Sequence, residues 1–297
     1  MDINNPHISI IIPRRGINDE GKGKKHALYR LISAAETEYV WMQDDDVVLE
    51  VRGERLEVRG ERLEVNRSAS PVDRAEPCRS ASPVDRPLGC SLRAFAQVKG
   101  IDLLILPLRM QSENEKPSLL ERLQIAEYAA IQQLTIETAK RGHAVMCSGA
   151  NLIVKRDRWL ESYPDLHPEI PSGDDMFLLE SFKRRGLKIA VCEREDMTAI
   201  VRPHTSWRAF FAQRMRWAGK APKYTDKDIL RCGAIVLGAN LLQLVCPLLL
   251  LLKFPIEYRL IKKRDASVSL FTALLLEILY PIYTIISIVG GIFRRQW

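Results

Sequence analysis

The chain has 297 residues and a formal net charge of +7, long enough to bury a core as one large domain with a tail. The charge is uneven: residues 50–90 hold eight Arg against eight Asp/Glu, whereas residues 231–297 hold eight Lys/Arg against three Asp/Glu, and a basic, apolar tail suits an anionic membrane surface. No aromatic-and-basic strand motif marks a nucleic-acid partner, and the six Cys lack C-x-x-C spacing and a His at ligand distance, so they read as free thiols of a reduced, cytosolic face rather than a metal site.

Met1 leads into Asp2, Asn4 and Asn5 rather than a charged start and a long apolar run, which reads as no signal peptide. Ile8–Pro13 is a β-rich run stopped by Pro13 and predicts a short buried strand. After Gly21 and Gly23 the spacing of Ala27, Leu28, Leu31 and Ile32 predicts a helix over Lys24–Ala35. Tyr39–Met42 predicts a second strand, with Asp44, Asp45 and Asp46 at its C-terminal end, where open α/β sheets place ligands.

Residues 50–90 differ in kind. Glu50–Leu56 (EVRGERL) recurs at Glu57–Leu63, and Arg67–Arg74 (RSASPVDR) recurs at Arg79–Arg86. Two perfect tandem repeats of different period, poor in large apolar residues, read as a disordered insertion without chemistry of its own.

The fold resumes near Leu92. Asp102–Leu108 is strand-like, Pro117–Arg141 helical, and Ala144–Val154 a strand interrupted at Ser148-Gly149-Ala150-Asn151. A helix over Asp175–Arg185 with Gly186 as its C-cap, a strand over Leu187–Cys192 and a helix over Thr205–Gly219 follow. Ala234–Leu252 and Val268–Phe293 are then apolar over the ~20 residues a bilayer helix needs. Arg231 precedes the first run and Arg294 and Arg295 follow the second, so a cytosolic domain puts both ends inside. The loop between them, with Lys253, Arg259, Lys262, Lys263 and Arg264, opposes the positive-inside rule. Either both runs span, or part of the loop lies along the inner face and one run is re-entrant.

Three clusters carry chemistry. Asp44 and Asp46 form a D-x-D, and alternate carboxylates at a strand end can ligate Mg²⁺ or Mn²⁺, which neutralises a diphosphate leaving group. Asp174 and Asp175 lie in Ser-Gly-Asp-Asp-Met-Phe. Asp174 reads as a helix cap; Asp175 reads either as a cap or as the base that takes a proton from an attacking hydroxyl. Gln213, Arg216 and Trp217 fall at i, i+3 and i+4 on one helix face, Arg216 suited to phosphate and Trp217 to a sugar ring. The same helix also reads as interfacial, with Trp207, Phe210, Phe211 and Trp217 in lipid and Arg208, Arg214 and Lys220 at headgroups. Lys24 suits either a phosphate or a solvated helix start, and His26, His143, His167 and His204 show no ligand spacing.

With these residues in place, the chain resembles the processive-type family-2 glycosyltransferases, the group of cellulose, chitin and hyaluronan synthases. Gly23-Lys24-x-x-Ala27-Leu28 is similar to the family's G-K-x-x-A-L helix, Asp44-Asp45-Asp46 to its D-x-D, and Ser148-Gly149-Ala150-Asn151 to its acceptor-side turn. Gly173-Asp174-Asp175 is similar to its T-E-D or G-D-D motif, and Gln213-Arg214-Met215-Arg216-Trp217 to its Q-x-x-R-W. The resemblance implies an α/β fold of GT-A type (a Rossmann-like nucleotide-sugar transferase domain) followed by C-terminal transmembrane helices. It implies an inverting, metal-dependent hexosyltransferase at the inner membrane, multi-pass, with its catalytic domain facing the cytoplasm. The donor is a nucleoside-diphosphate sugar, a UDP-sugar foremost, and the acceptor a glycan or lipid-linked species. Asp175 is then the base, and Asp44 and Asp46 hold Mg²⁺ or Mn²⁺. Lys24, Gln213, Arg216 and Trp217 bind donor diphosphate and acceptor, and Gly149, Asn151 and Asp174 line the acceptor side.

The division that follows is 1–49 for the first part of this domain, 50–90 for the insertion, 91–230 for its remainder and 231–297 for the membrane region. The family has two strands before its G-K-x-x-A-L helix, and this chain offers only Ile8–Pro13, which reads as an N-terminal shortening on the donor side. Two other functions remain open on the sequence: an inactive relic of such an enzyme, and a non-enzymatic membrane-surface scaffold.

Overall fold

The computed structural model describes residues 8–13, 23–44, 47–51, 54–59, 62–66, 100–170 and 172–293. The first half of the chain runs β1 (Ile8–Ile11), α1 (Lys24–Ala34), β2 (Tyr39–Gln43), β3 (Val48–Val51), β4 (Glu54–Arg59), β5 (Arg62–Asn66), β6 (Leu103–Ile105), β7 (Leu108–Met110) and α2 (Leu119–Lys140). The second runs β8 (Asn151–Lys155), α3 (Arg156–Ser162), α4 (Asp174–Arg184), β9 (Ile189–Val191), β10 (Ala199–Val201), α5 (Trp207–Ala218), α6 (Lys227–Val245), α7 (Leu249–Arg264) and α8 (Leu270–Phe293). The architecture is mixed α/β, with two sheets.

The first sheet has the order β1-β2-β8-β6-β9. Its outer pairs, β1 with β2 and β6 with β9, are parallel; β8 runs antiparallel to both β2 and β6. Successive side chains of a strand point to opposite faces, and here both faces are covered. Val40 and Met42, Leu103 and Ile105, and Leu152 and Val154 join Leu28, Ile32, Trp159 and Phe177 in one cluster. The intervening Tyr39, Trp41, Leu104 and Ile153 join Tyr128 of α2 in the other. That is why Tyr39–Gln43 reads as an unbroken apolar run ending in one amide: every residue of β2 is buried.

The second sheet, β5-β4-β3-β10-β7, corrects the reading of residues 50–90 as disordered throughout. The tandem heptapeptide forms strands. Leu-Glu-Val occurs three times at seven-residue intervals, at Leu49, Leu56 and Leu63, once in each of β3, β4 and β5. Leu49 pairs with Leu56, Leu56 with Val65, and Val58 with Leu63. Alternating Leu and Val flanked by Gly is a hairpin signal, one that the low apolar content had masked. The second repeat, residues 67–90, lies outside the described residues.

α2 starts with a capping box, Ser118 and Glu121 each bonding the other's backbone N–H. α4 ends in a Schellman turn: Gly186 (φ +64°) donates to Lys183 O and Leu187 to Phe182 O, both at 3.0 Å. Asp102–Leu108 is two strands separated by Pro107. Of the expected strand over Ala144–Val154, only Asn151–Lys155 forms, because the chain turns at Gly149-Ala150. The first apolar run also divides. α6 stops at Val245, and after Pro247, which cannot continue a helix, α7 carries the basic loop as helix. α6 and α8 are each long and apolar enough to cross a membrane.

Candidate functional site

Two strand ends and two helix starts meet at one place. β8 is antiparallel to β2 with Asn151 opposite Gln43, which sets the turn entering β8 beside Asp44 at the exit of β2. α1 begins at Lys24 and α4 at Asp174. Lys24 Nζ donates to Asp44 Oδ1 at 2.6 Å and lies 3.4 Å from Asp174 Oδ2. Asp175 Oδ2 accepts from Gly149 N at 3.3 Å, and its Oδ1 from Met176 N at 2.8 Å. Gly149 is the close-approach point: a Cβ there would stand 3.3 Å from Asp174 Oδ2, 3.6 Å from Lys24 Nζ and 3.8 Å from Asp175 Cβ.

The charges set one another. Burial acts to lower the pKa of Lys24, but Asp174, Asp44 and Asp175 outweigh it and hold the ammonium well above its ordinary range. For Asp174, burial favours the neutral acid, yet Lys24 chiefly, with Lys25, keeps its carboxyl below the usual range. Asp175 goes the other way. Burial and then the adjacent Asp174 charge raise it, against Lys220 and Lys24. One of two neighbouring carboxylates is thus held as an anion and the other made more basic.

Lys220, just beyond α5, completes the cluster. Its Nζ donates to Ser172 Oγ at 3.2 Å, and its stem crosses Gly173, where a Cβ would meet Lys220 Cδ at 2.9 Å. Gly173 sits at φ +84°, so glycine is needed there for backbone and space alike. Burial lowers the pKa of Lys220, opposed by Asp175 and Asp174 and reinforced by Arg216 and Lys24. Lys25 is buried under Phe177 and donates to Leu166 O at 2.5 Å and His167 O at 2.9 Å; burial pushes its pKa down to about 8. Cys147 donates through Sγ to Asp175 O at 3.1 Å.

The sequence pointed to Lys24, Asp44, Gly149, Asp174 and Asp175, and the fold brings these together. Asp46 lies outside the described residues. Asn151, expected on the acceptor side, is a buried joint: its Nδ2 donates to Pro107 O and Met197 O, each at 2.9 Å, and Trp41 Nε1 donates to its Oδ1 at 2.8 Å. Within Gln213–Trp217 of α5 the buried residue is Arg214. It is 6% exposed, forms a two-point ion pair with Glu127 of α2, and donates to Gln213 Oε1 at 2.6 Å. Its guanidinium carbon lies 4.7 Å from the Phe210 centroid and 4.4 Å from that of Trp217. The interfacial reading of α5 therefore needs correction, because Arg214, Lys220 and Phe210 face inward while Trp207 and Trp217 remain exposed. Arg216 is half-buried, near enough to Lys220 to act on it. Sequence reasoning put Lys220 and Arg214 at lipid headgroups rather than inside the protein, where both are buried. Lys220 lies three residues past the motif, and Arg214 fills one of its unspecified positions.

A hard divalent cation needs oxygen donors. Among the described residues no group of three His, Cys, Asp or Glu is placed to bind one. Mg²⁺ is commonly held by one or two carboxylates, with phosphate and water oxygens filling the remaining positions. Asp44 suits that donor set, provided Lys24 yields its Oδ1. A cavity of about 150 Å³ lies elsewhere, between α2, α5 and α8, lined by Leu123, Phe210, Tyr283 and Ile286 among others. Its apolar lining includes none of the clustered aspartates.

No family model matches the chain, and no curated protein does. A crystal structure described as a mycobacterial protein aligns over 69% of this chain and 53% of its own length, at 14% identity and a TM-score of 0.31. This chain thus spans about half of that protein, and a likeness of this size carries no argument about fold or activity.

Proposed function

We propose that the chain is a membrane-associated, inverting glycosyltransferase of GT-A type. It moves a sugar from a nucleoside diphosphate, UDP foremost, to a hydroxyl of a glycan or lipid-linked acceptor. What carries the reading is the meeting of Lys24, Asp44, Gly149, Asp174 and Asp175 around one spot, with Lys24 Nζ 2.6 Å from Asp44 and 3.4 Å from Asp174.

Asp175 acts as general base. Its raised pKa makes it a stronger proton acceptor than an ordinary aspartate, and its bond to Gly149 N fixes the carboxylate. The acceptor oxygen forms its bond to the anomeric carbon as the bond to the diphosphate breaks; the hydroxyl proton passes to Asp175, and the nucleoside diphosphate leaves. Lys24, at the start of α1, and Lys220, which reaches from beyond α5 to the start of α4, supply positive charge where the leaving oxygens become more negative. Asp174 holds Lys24 in place. Asp44 and Asp46 would hold Mg²⁺ or Mn²⁺, which when bound shares the neutralisation of the diphosphate. Gln213, Arg216 and Trp217, at the end of α5, hold donor diphosphate and acceptor.

One observation favours a second reading, that of a non-catalytic relic: the Asp44 carboxylate already has Lys24 as its cation. Both readings meet one experiment. Purified protein in detergent with Mn²⁺ is assayed for transfer and hydrolysis across UDP- and GDP-sugars, beside Asp175→Asn. Turnover abolished by the substitution supports the transferase. No turnover together with no nucleoside-diphosphate binding supports the relic.

A further inference from the structure

The C-terminal helices lie over the globular part rather than standing away from it. α8 starts against α2, where Val268, Ala273 and Leu276 pack with Leu123, Ala126 and Ala129. It passes α5 at Tyr283, whose ring lies 5.5 Å from that of Phe210. It finishes on the same helix, where a Cβ on Gly291 would sit 2.9 Å from both Met215 O and Gly219 N. A helix of 24 residues, about 36 Å long at 1.5 Å per residue, thus touches one body near both ends. A bilayer-crossing helix has its ends separated by about 30 Å of hydrocarbon, with one of them on the far side.

α6 and α7 belong to the same layer. Near the end of α6, Gln243 Nε2 donates to Glu277 O in α8 at 3.0 Å, so this end of the hairpin also stays within one helix of the globular surface. Lys253 of α7 ties the three helices, donating to Asn240 Oδ1 at 2.9 Å, Gln243 Oε1 at 3.2 Å and Glu277 Oε1 at 2.5 Å. α7 then returns to the globular part. Ile261 joins the cluster of Leu123, Lys263 bonds Glu137, and Arg264 donates to Leu108 O at 3.2 Å.

Outward, the layer is greasy. Ile235, Val245, Leu251, Leu252, Phe271 and Ile292 are between 66% and 83% exposed, and so many large exposed apolar side chains on three helices mark a docking face. The same helices carry Arg231, Arg259 and Lys262, charge that complements anionic headgroups.

We propose that α6, α7 and α8 form a monotopic layer lying in the plane of one anionic leaflet, with no helix crossing the bilayer. The loop 265–267 and the aspartate cluster are then on the same side. This rests on the membrane association proposed above, though not on the transferase activity. It also removes the conflict of the basic loop with the positive-inside rule, since α7 never leaves the side of the globular part.

The test is side-specific labelling of the full chain in sealed membrane vesicles of each orientation, with a membrane-impermeant thiol reagent. Ala266→Cys and Arg141→Cys, both at exposed positions, are each read against the parent chain to subtract its native thiols. The expected result is labelling of both from the same face and loss of both signals from the other. Labelling of Ala266→Cys from the face opposite to Arg141→Cys overturns the in-plane layer and leaves membrane association standing. A chain that stays soluble without detergent and does not sediment with vesicles overturns both. Parent-like melting temperature and membrane yield for each variant exclude misfolding as the source of a signal.

Discussion

The ammonium of Lys24 bonds Asp44 at 2.6 Å, linking the first residue of α1 to the residue that follows β2, and its other neighbour is Asp174 at 3.4 Å. Removing it leaves two carboxylates at the proposed diphosphate site without the ammonium that lies between them. Lys24→Met is expected to weaken nucleoside-diphosphate binding about tenfold or more, since hydrogen bonds to charged groups contribute about 1.5–3 kcal/mol. Lys24→Arg should retain most of the affinity. Calorimetric titration with UDP, with and without Mn²⁺, measures both, and equal affinity across the three chains removes Lys24 from the donor site.

On the mechanism proposed above, the two neighbouring aspartates set the pH profile. Asp175 must be ionised to accept a proton, so kcat/KM should rise with pH through its pKa, above the ordinary aspartate range because burial and Asp174 raise it. Asp174→Asn removes a negative neighbour and should move that limb toward acid. Lys220→Met removes a positive one and should move it toward alkali. Opposite displacements in the two pH profiles identify Asp175 as the titrating group; displacements in one direction point elsewhere.

The same shift bears on stability. A carboxyl whose folded pKa is raised binds its proton more tightly in the native state, so it withdraws stability as pH rises from the unfolded value through the folded one. Asp175→Asn removes that loss but keeps one oxygen, so only one of the bonds from Gly149 N and Met176 N survives. The two effects oppose each other, and its melting temperature at neutral pH should stay close to the parent's while turnover disappears. A marked fall in melting temperature would show that the charge serves the fold.

Arg214 and Glu127 are both nearly fully buried, and breaking a buried pair leaves an uncompensated charge. Arg214→Met is expected to destabilise by about 3–5 kcal/mol, with Arg214→Met/Glu127→Gln recovering part of it. Thermal or denaturant melts in detergent would give the double-mutant cycle. Additive losses would mean the two groups do not depend on each other.

Gly291 and Gly238 make a matched pair. A side chain at Gly291 meets backbone of α5 at 2.9 Å, whereas one at Gly238 meets nothing within 4 Å. Gly291→Val should cost about 1–3 kcal/mol by forcing α8 off α5. Gly238→Ala should be neutral, or stabilise α6 by up to about 1 kcal/mol through helix propensity. The same melts decide, and equal effects would contradict the close approach.

Much of the fold was legible because alternation and helical spacing are local. Val40 and Met42 against Tyr39 and Trp41 encode a strand buried on both faces, and Ser118 with Glu121 encodes the start of α2. The three Leu-Glu-Val strands were missed because sparse apolar content outweighed their period of two. α7 was missed because Lys253, Arg259 and Lys262–Arg264 read as a loop; nothing local says that Lys253 will face Glu277 across two helices. The acidic members of the site were visible as short motifs. Lys220, Asn151 and Arg214 took their roles from long-range contacts with Ser172, Trp41 and Glu127, which no spacing along the chain records.

Gly291 of α8 packs on Gly219, and the next residue, Lys220, reaches Ser172 and helps set the basicity of Asp175. Close-packed backbones have almost no compressibility, so a lateral pressure that shifts α8 is handed to Lys220 with little slack. If the protein rests on a leaflet and Asp175 is the base, as proposed above, a lateral force on α8 would reach that carboxyl through two adjoining residues, Gly219 and Lys220.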